Sequence, residues 1–243
     1  MSAAASDSPS DFSRVRLQGI SRHYGRRRAL ANVTLDCAAG VVTGLFGPNG
    51  AGKSTLLGVL STFVRPSSGA ISYGDRTAEQ WGDALRSRIG VLGHDLFLYG
   101  DLTAFENLLF FARLYGLPNP GEVVARALDK ARLTDRAHDR VGAFSRGLRQ
   151  RLALERALIH SPQLVLLDEP FTGLDDASAA LLIERLRQLA TSGAIVVMAT
   201  HDFDLADGVV DEAVCLSSGR LVPMPGAGPL RQRYRDALSR ERA

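Results

Sequence analysis

Apolar positions along this chain follow two different periods, and the change between them divides it. Near the start, "VRLQGISRHYG" and "ALANVTLDCAAG" alternate apolar and polar residues around Gly25, which predicts an antiparallel strand pair with a turn there. The run "VVTGLF" does not alternate and predicts a strand buried on both faces. It leads into "GPNGAGKST", residues 47–55, with no apolar residue larger than alanine, and "KSTLLGVLSTFV" then predicts a helix. A turn at "RPSSG" and a short strand at "AISYGD" follow. After "RIGVLG" the pattern is helical through "TAFENLLFFARLYG", "GEVVARALDKARL" and "GLRQRLALERALIH". That block, residues 95–160, predicts an inserted helical lobe. Two apolar strands, "QLVLLDE" and "AIVVMATH", flank the helix "ASAALLIERLRQLATSG". Buried strands alternating with helices imply an α/β fold with a parallel sheet covered on both faces.

Composition adds few constraints. Apolar residues make up 45% and charged residues 23% of the 243 positions, enough for a core of domain size in a globular protein. A net charge of +3 is too small and dispersed to point to nucleic acid. Cys37 and Cys215 make no metal-ligand spacing, and two buried reduced thiols are expected. Residues 1–12 carry acids and no apolar run, so a disordered leader is expected rather than a signal peptide. The folded unit is placed at 13–227. The tail, 228–243, sets Leu230, Tyr234 and Leu238 at helical spacing among arginines, which predicts a basic helix docked by one apolar stripe. No run is long and apolar enough to span a bilayer.

The candidate chemistry starts at Gly47. Residues Gly47–Ser54 fit G-x-x-x-x-G-K-[ST] between a predicted strand and helix, the context that phosphate loop requires. In such a loop Gly47, Pro48, Asn49, Gly50, Ala51 and Gly52 let main-chain N–H groups curl round phosphate oxygens at a helix N-terminus. Lys53 is expected to reach the β- and γ-phosphates of a nucleoside triphosphate. Ser54 is expected to ligate Mg²⁺, with Thr55 beside it. The second motif, "LVLLDEP", carries two acids to the end of a strand, where ligands bind in open parallel sheets. Asp168 is the candidate for holding Mg²⁺ and Glu169 for polarising the attacking water.

Four further segments give the chain a resemblance to the ATP-binding-cassette (ABC) ATPases over residues 13–222. "FSRGLRQRLALERAL" resembles that family's signature segment, with Ser145 and Gly147 opening a helix. "GLDDAS" resembles its D-loop, with Asp175. "MATHD" puts His201 at the switch-histidine position, and "RHYG" puts Tyr24 where an aromatic residue stacks on adenine. The resemblance implies a P-loop NTPase core, an N-terminal antiparallel β subdomain and an inserted helical subdomain. It also implies that the signature completes the ATP site of another subunit, so that two chains sandwich two nucleotides head to tail as a homodimer or a heterodimer. His201 would then contact the γ-phosphate and fix Glu169 and the water. Two departures stand out: Arg146 and Leu148 replace the usual glycine and glutamine of the signature, and His94 stands at the Q-loop position in place of glutamine.

"LGH", "LTAFENL" and "DEPFTGLD" resemble the ATP-binding subunit of the haem exporter in bacterial cytochrome c maturation. Exporters of drugs, lipids or polysaccharides share segments like "LYGDLTAFENL", and a non-transport ATPase such as an iron–sulfur cluster assembly factor is a third reading. The resemblance implies integral membrane permease subunits as partners, no nucleic acid, and a peripheral place on the cytoplasmic face of the bacterial inner membrane. Phe105, Leu108, Leu109 and Phe111 are candidates to line the groove that receives the permease, with a place in the core as the equal alternative for most of them.

Overall fold

The computed structural model describes residues 11–242. Alternation gives β1 (Arg14–Tyr24) and β2 (Arg27–Ala38) as an antiparallel pair, and Gly25 turns between them at φ 57°. All five residues of β3 (Val42–Phe46) are buried. Helix α1 (Lys53–Leu60) follows the glycine loop and stops short of the predicted end. Thr62 takes a left-handed φ of 66°, and the Val64 N–H folds back to the Gly58 carbonyl at 2.9 Å. β4 (Ser68–Tyr73), β5 (Arg76–Thr77) and α2 (Ala78–Trp81) lead to β6 (Ile89–Leu92).

The predicted helical block contains α3 (Ala104–Leu114), α4 (Pro120–Lys130) and α5 (Arg146–Leu158). A capping box starts α3: Thr103 Oγ1 accepts from the Glu106 N–H and Glu106 Oε2 accepts from the Thr103 N–H. Caps of this kind stabilise a helix by about 1 kcal/mol. Leu108, Ala112, Val124, Leu128, Phe144 and Leu152 build the core of this block. α5 also turns Ala153, Leu154 and Ala157 into the main sheet's core, so it belongs to both bodies.

β7 (Leu164–Asp168), α6 (Asp176–Thr191), β8 (Ile195–Ala199), α7 (Phe203–Asp207), β9 (Glu212–Ser217), β10 (Arg220–Pro223) and α8 (Leu230–Arg242) complete the chain. The main sheet runs β10-β9-β3-β8-β7-β6, parallel throughout except for β10. The second sheet, β2-β1-β4-β5, is antiparallel. A parallel sheet, an antiparallel β subdomain and an inserted helical block are the three parts the resemblance implied. Because β3, β8 and β7 are neighbours, the segments that leave their carboxyl ends converge. These are the glycine loop, His201 and the Asp168–Glu169 pair.

One boundary moves. Phe12, assigned from the sequence to the leader, is buried and packs edge-on against Tyr73 and Trp81 at 5.6 Å. An aromatic ring with a ready apolar pocket outweighs the polar composition of its neighbours. The rest of the expected leader, residues 1–10, lies outside the described residues. Both cysteines are buried, and desolvation pushes the Cys37 thiol up to about 12, keeping it protonated and inert.

Candidate nucleotide site

The glycine loop needs its glycines. Gly47 has φ 145°, and a Cβ there would lie 2.2 Å from the Leu216 carbonyl oxygen on β9. Gly52 has φ 112°, and a Cβ there would lie 2.4 Å from the Ala29 carbonyl oxygen on β2. The loop is thus wedged between the two sheets with no room for side chains at either point. Lys53, the first residue of α1, is buried, and its Nζ donates to the carbonyls of Gly47 at 2.7 Å and Pro48 at 3.3 Å. The Ala51 N–H donates to the Pro48 carbonyl at 3.2 Å, closing the turn.

A cleft of about 350 Å³ opens over this loop. Asn49, Gly50, Gly52, Lys53, Ser54 and Thr55 line it from the loop side, Asp168 and Glu169 from β7, His94 from the segment after β6, and Tyr24 from the β1–β2 turn. Residues up to 145 positions apart in sequence therefore share one cavity. Arg22 stacks on Tyr24 with its guanidinium carbon 4.5 Å from the ring centroid, covering one face of the ring. Arg27 and Ala29 also line the cleft, and Arg27 Nη2 donates to the Gly50 carbonyl at 3.2 Å. Sequence reasoning missed both. The signal for Arg27 was its place across the hairpin from Tyr24, a pairing that emerges only with the β1–β2 register.

Glu169 leaves the strand in a left-handed conformation, φ 51°, with its N–H on the Ala199 carbonyl at 2.8 Å. That bend turns its carboxylate toward His201. Oε2 lies 2.8 Å from His201 Nδ1 and accepts from the His201 N–H at 3.3 Å. Pairing of β7 with β8, Asp168 opposite Ala199, sets this juxtaposition.

Ser145, Arg146, Gly147, Leu148 and Asp175 form a separate group away from the cleft. Ser145 caps α5, its Oγ accepting from the Leu148 N–H at 3.4 Å. Asp175 caps α6, Oδ1 accepting from the Ser178 N–H at 2.8 Å, and that hydrogen bonding holds its carboxyl below the usual range. A Cβ on Gly147 would come within 3.1 Å of Ser178 Oγ, so the starts of the two helices touch. The Arg146 side chain lies against Gly173, and Leu148 packs onto the helical lobe. Gln150, which sequence reasoning passed over, is buried and donates from Nε2 to the Pro170 carbonyl at 3.0 Å, tying α5 to the segment after Glu169.

A second, apolar cleft of about 570 Å³ lies between the helical lobe and the sheet. Phe97, Tyr99, Phe110, Phe111 and Leu114 line it, with Phe63 from the segment after α1. Of the four expected groove residues, only Phe111 is among its walls. Leu108 is fully buried in the lobe's core, and Phe105 and Leu109 pack against that core. The helical stripe points them inward because α3 must cover α4 and α5.

The profile of the family described as ABC transporter matches residues 30–172, more than half of the chain. The chain belongs to the ABC transporter family. Among curated relatives it is similar to the ABC transporter ATP-binding protein NatA of Bacillus subtilis, at 38% identity over 86% of this chain and 87% of that protein. It is also similar to the daunorubicin resistance ATP-binding protein DrrA3 of Streptomyces coeruleorubidus, at 37% identity over 86% of this chain and 66% of that protein. Among solved structures, a dimeric ATP-binding cassette in a post-hydrolysis state bound to ADP and Pi superposes with a TM-score of 0.76 and 26% identity, covering 88% of this chain and all of that one. This ABC ATPase hydrolyses ATP to ADP and phosphate. Among its described residues, no helix is long and apolar enough to cross a membrane.

Proposed function

We propose that this ABC ATPase powers an export complex for a drug, lipid or polysaccharide cargo, working as a head-to-tail dimer on integral membrane subunits. The observation that carries the reading is the division of the site. Lys53, Ser54, Asp168, Glu169 and Tyr24 share one cleft, while Ser145 and Gly147 open a different helix outside it. A second helix start outside the chain's own nucleotide cleft fits a role in binding the phosphates of a nucleotide held by another copy. A structural relative is itself dimeric, which supports a site shared between two chains.

The cargo class follows from relatives named for drug resistance rather than from the cleft. His94, from the "LGH" segment that contributed to the resemblance to the haem exporter, lines the nucleotide cleft. His94 therefore bears on the nucleotide cycle and holds no information about what is exported. The apolar cleft with Phe97, Tyr99, Phe110 and Phe111 offers a seat for a short membrane-subunit helix, and that docking would hold the chain peripherally at the cytoplasmic face of the inner membrane.

Within the nucleotide cleft, Tyr24 is assigned to the adenine through its uncovered face, and Lys53 with the loop N–H groups to the phosphates. Ser54 and Asp168 supply hard oxygen donors in one cleft, a set that suits Mg²⁺, which takes one or two protein ligands beside nucleotide phosphates. When bound, that ion would neutralise charge building up on the phosphates. Glu169 accepts a proton from the attacking water, and His201 orients the carboxylate through Nδ1. The test is purification of the Glu169→Gln chain with ATP, with and without membranes. An ATP-dependent dimer that carries integral export subunits supports the reading. A monomer at saturating ATP, or co-purification with soluble scaffold proteins alone, would refute it.

A further inference from the structure

The basic tail helix α8 is not a loose appendage. Leu230 and Ala237 are buried, and Tyr234 packs beside them against the main sheet's core. Its principal contact is with α7, the short helix that begins two residues after His201. Phe203, the first residue of α7, sits between two rings. On one side it stacks on Phe46 at 5.1 Å with planes 14° apart, and on the other it meets Tyr234 at 4.9 Å. Phe46 is fully buried and is the residue immediately before Gly47. The three rings therefore run from α8, through the segment carrying His201, to the root of the phosphate loop.

Polar contacts reinforce the stack at both ends of α7. Arg231 pairs with Asp204 at 2.9 Å and lies over the Phe203 ring at 5.4 Å. The Leu230 N–H donates to Asp207 Oδ1 at 2.8 Å, fixing the far end. Asp202 caps α7 by accepting from the Leu205 N–H at 3.1 Å, and its own N–H donates to Thr200 Oγ1 at 3.1 Å. A helix of five residues cannot hold its own shape in water. The contacts from α8 supply what its length lacks. His201 is itself exposed and meets the site through Glu169.

We propose that Tyr234, acting through Phe203, is a positioning residue for hydrolysis, and that α8 is a brace holding His201 in register with Glu169. This rests on the assignment of Glu169 and His201 to the hydrolytic step. The Tyr234 hydroxyl plays no part in it, so the ring alone should suffice.

The experiment compares Tyr234→Ala, Tyr234→Leu and Tyr234→Phe with wild type in steady-state ATPase kinetics, equilibrium ATP-analogue binding and thermal melting. In the alanine and leucine chains kcat should fall about fivefold or more, while binding stoichiometry and nucleotide affinity stay within about twofold of wild type. The phenylalanine chain should recover wild-type kcat. Leucine keeps apolar volume at the docking stripe, so it reads the proposal even if the alanine chain does not fold. Unchanged kcat in the leucine chain overturns the brace. So does a loss of kcat matched by an equal loss of binding stoichiometry, which is plain unfolding. Glu169→Gln serves as the reference: if it still turns over, the site assignment has failed, and if it is inactive while Tyr234→Leu is normal, only the brace has failed.

Discussion

His201 Nδ1 stands 2.8 Å from Glu169 Oε2, which ties the ends of two neighbouring strands together. Two constraints produce the contact: β7 and β8 are adjacent parallel strands, and Glu169 takes a left-handed turn at its strand end. A non-glycine residue in that conformation costs of order 1 kcal/mol and is held by its surroundings, here the Glu169 N–H bond to Ala199. Replacing Glu169 by Gln keeps the size and the contact with the histidine but removes the proposed proton acceptor. Turnover should fall roughly 10²- to 10⁴-fold with ATP binding intact. Phosphate release and analogue binding measured on the same preparation check this, and turnover near wild type would remove Glu169 from the role.

Lys53 is buried with its ammonium on two loop carbonyls, so it is already aimed at the space above the loop. Lys53→Ala should weaken nucleotide affinity roughly ten- to hundredfold, the worth of a charge-assisted hydrogen bond to phosphate. Titration with a fluorescent ATP analogue reads it directly. Affinity within twofold of wild type would contradict the assignment.

Gly47→Ala tests the loop without touching a side chain that chemistry needs. The new Cβ would meet the Leu216 carbonyl at 2.2 Å in a backbone conformation, φ 145°, that alanine avoids. Either β9 or the loop must move, and a stability loss of about 2 kcal/mol or more is expected. Chemical denaturation of the variant beside wild type gives the number. An unchanged midpoint would show that the loop adapts freely.

Much of this was legible in the residues, and the misses share a cause. The phosphate loop, the Asp168–Glu169 pair and the strands carrying them are local patterns, so period and motif suffice to find them. The inward turn of Leu108 and the inclusion of Arg27 in the cleft depend on which element packs against which, information no single segment holds. β9 and β10 escaped for a related reason: β10 is a four-residue edge strand and β9, beside it, is only six residues long, so both leave little periodic signal. The tail stripe of Leu230, Tyr234 and Leu238 was visible as a helix face, but its partner, Phe203, became apparent only in three dimensions.

His160 gives a prediction in pH. It is largely buried, stacked on Tyr115 at 4.0 Å with its Nε2 on the Ile89 carbonyl at 3.1 Å, and burial pushes its pKa down from 6.5 to about 4. The unfolded chain takes up a proton near pH 6.5, where the folded chain still refuses it. Stability should therefore be full above about pH 6.5 and be lost as pH falls toward 4, by about 3 kcal/mol in all. His160→Gln should flatten that part of the profile while losing the ring stack at every pH. Denaturation midpoints for both chains between pH 4 and 8 compare them, and parallel profiles would mean that other groups set the acid limb.

Ser145 and Lys53 allow a test of how the two helix starts are shared between chains. Ser145 opens α5 outside the cleft that holds Lys53, so in the proposed head-to-tail dimer a defect in one and a defect in the other fall on different halves of a site. Ser145→Arg and Lys53→Ala chains should each be nearly inactive alone. Mixed in equal amounts, half of the dimers carry one of each, and every such dimer has one site in which both halves are intact. Activity should recover to about a quarter of wild type if the two sites of a symmetric dimer act independently, and less if they are coupled. Recovery should peak at equal amounts and fall on either side. No recovery at any ratio would mean that both helix starts serve the same chain's nucleotide.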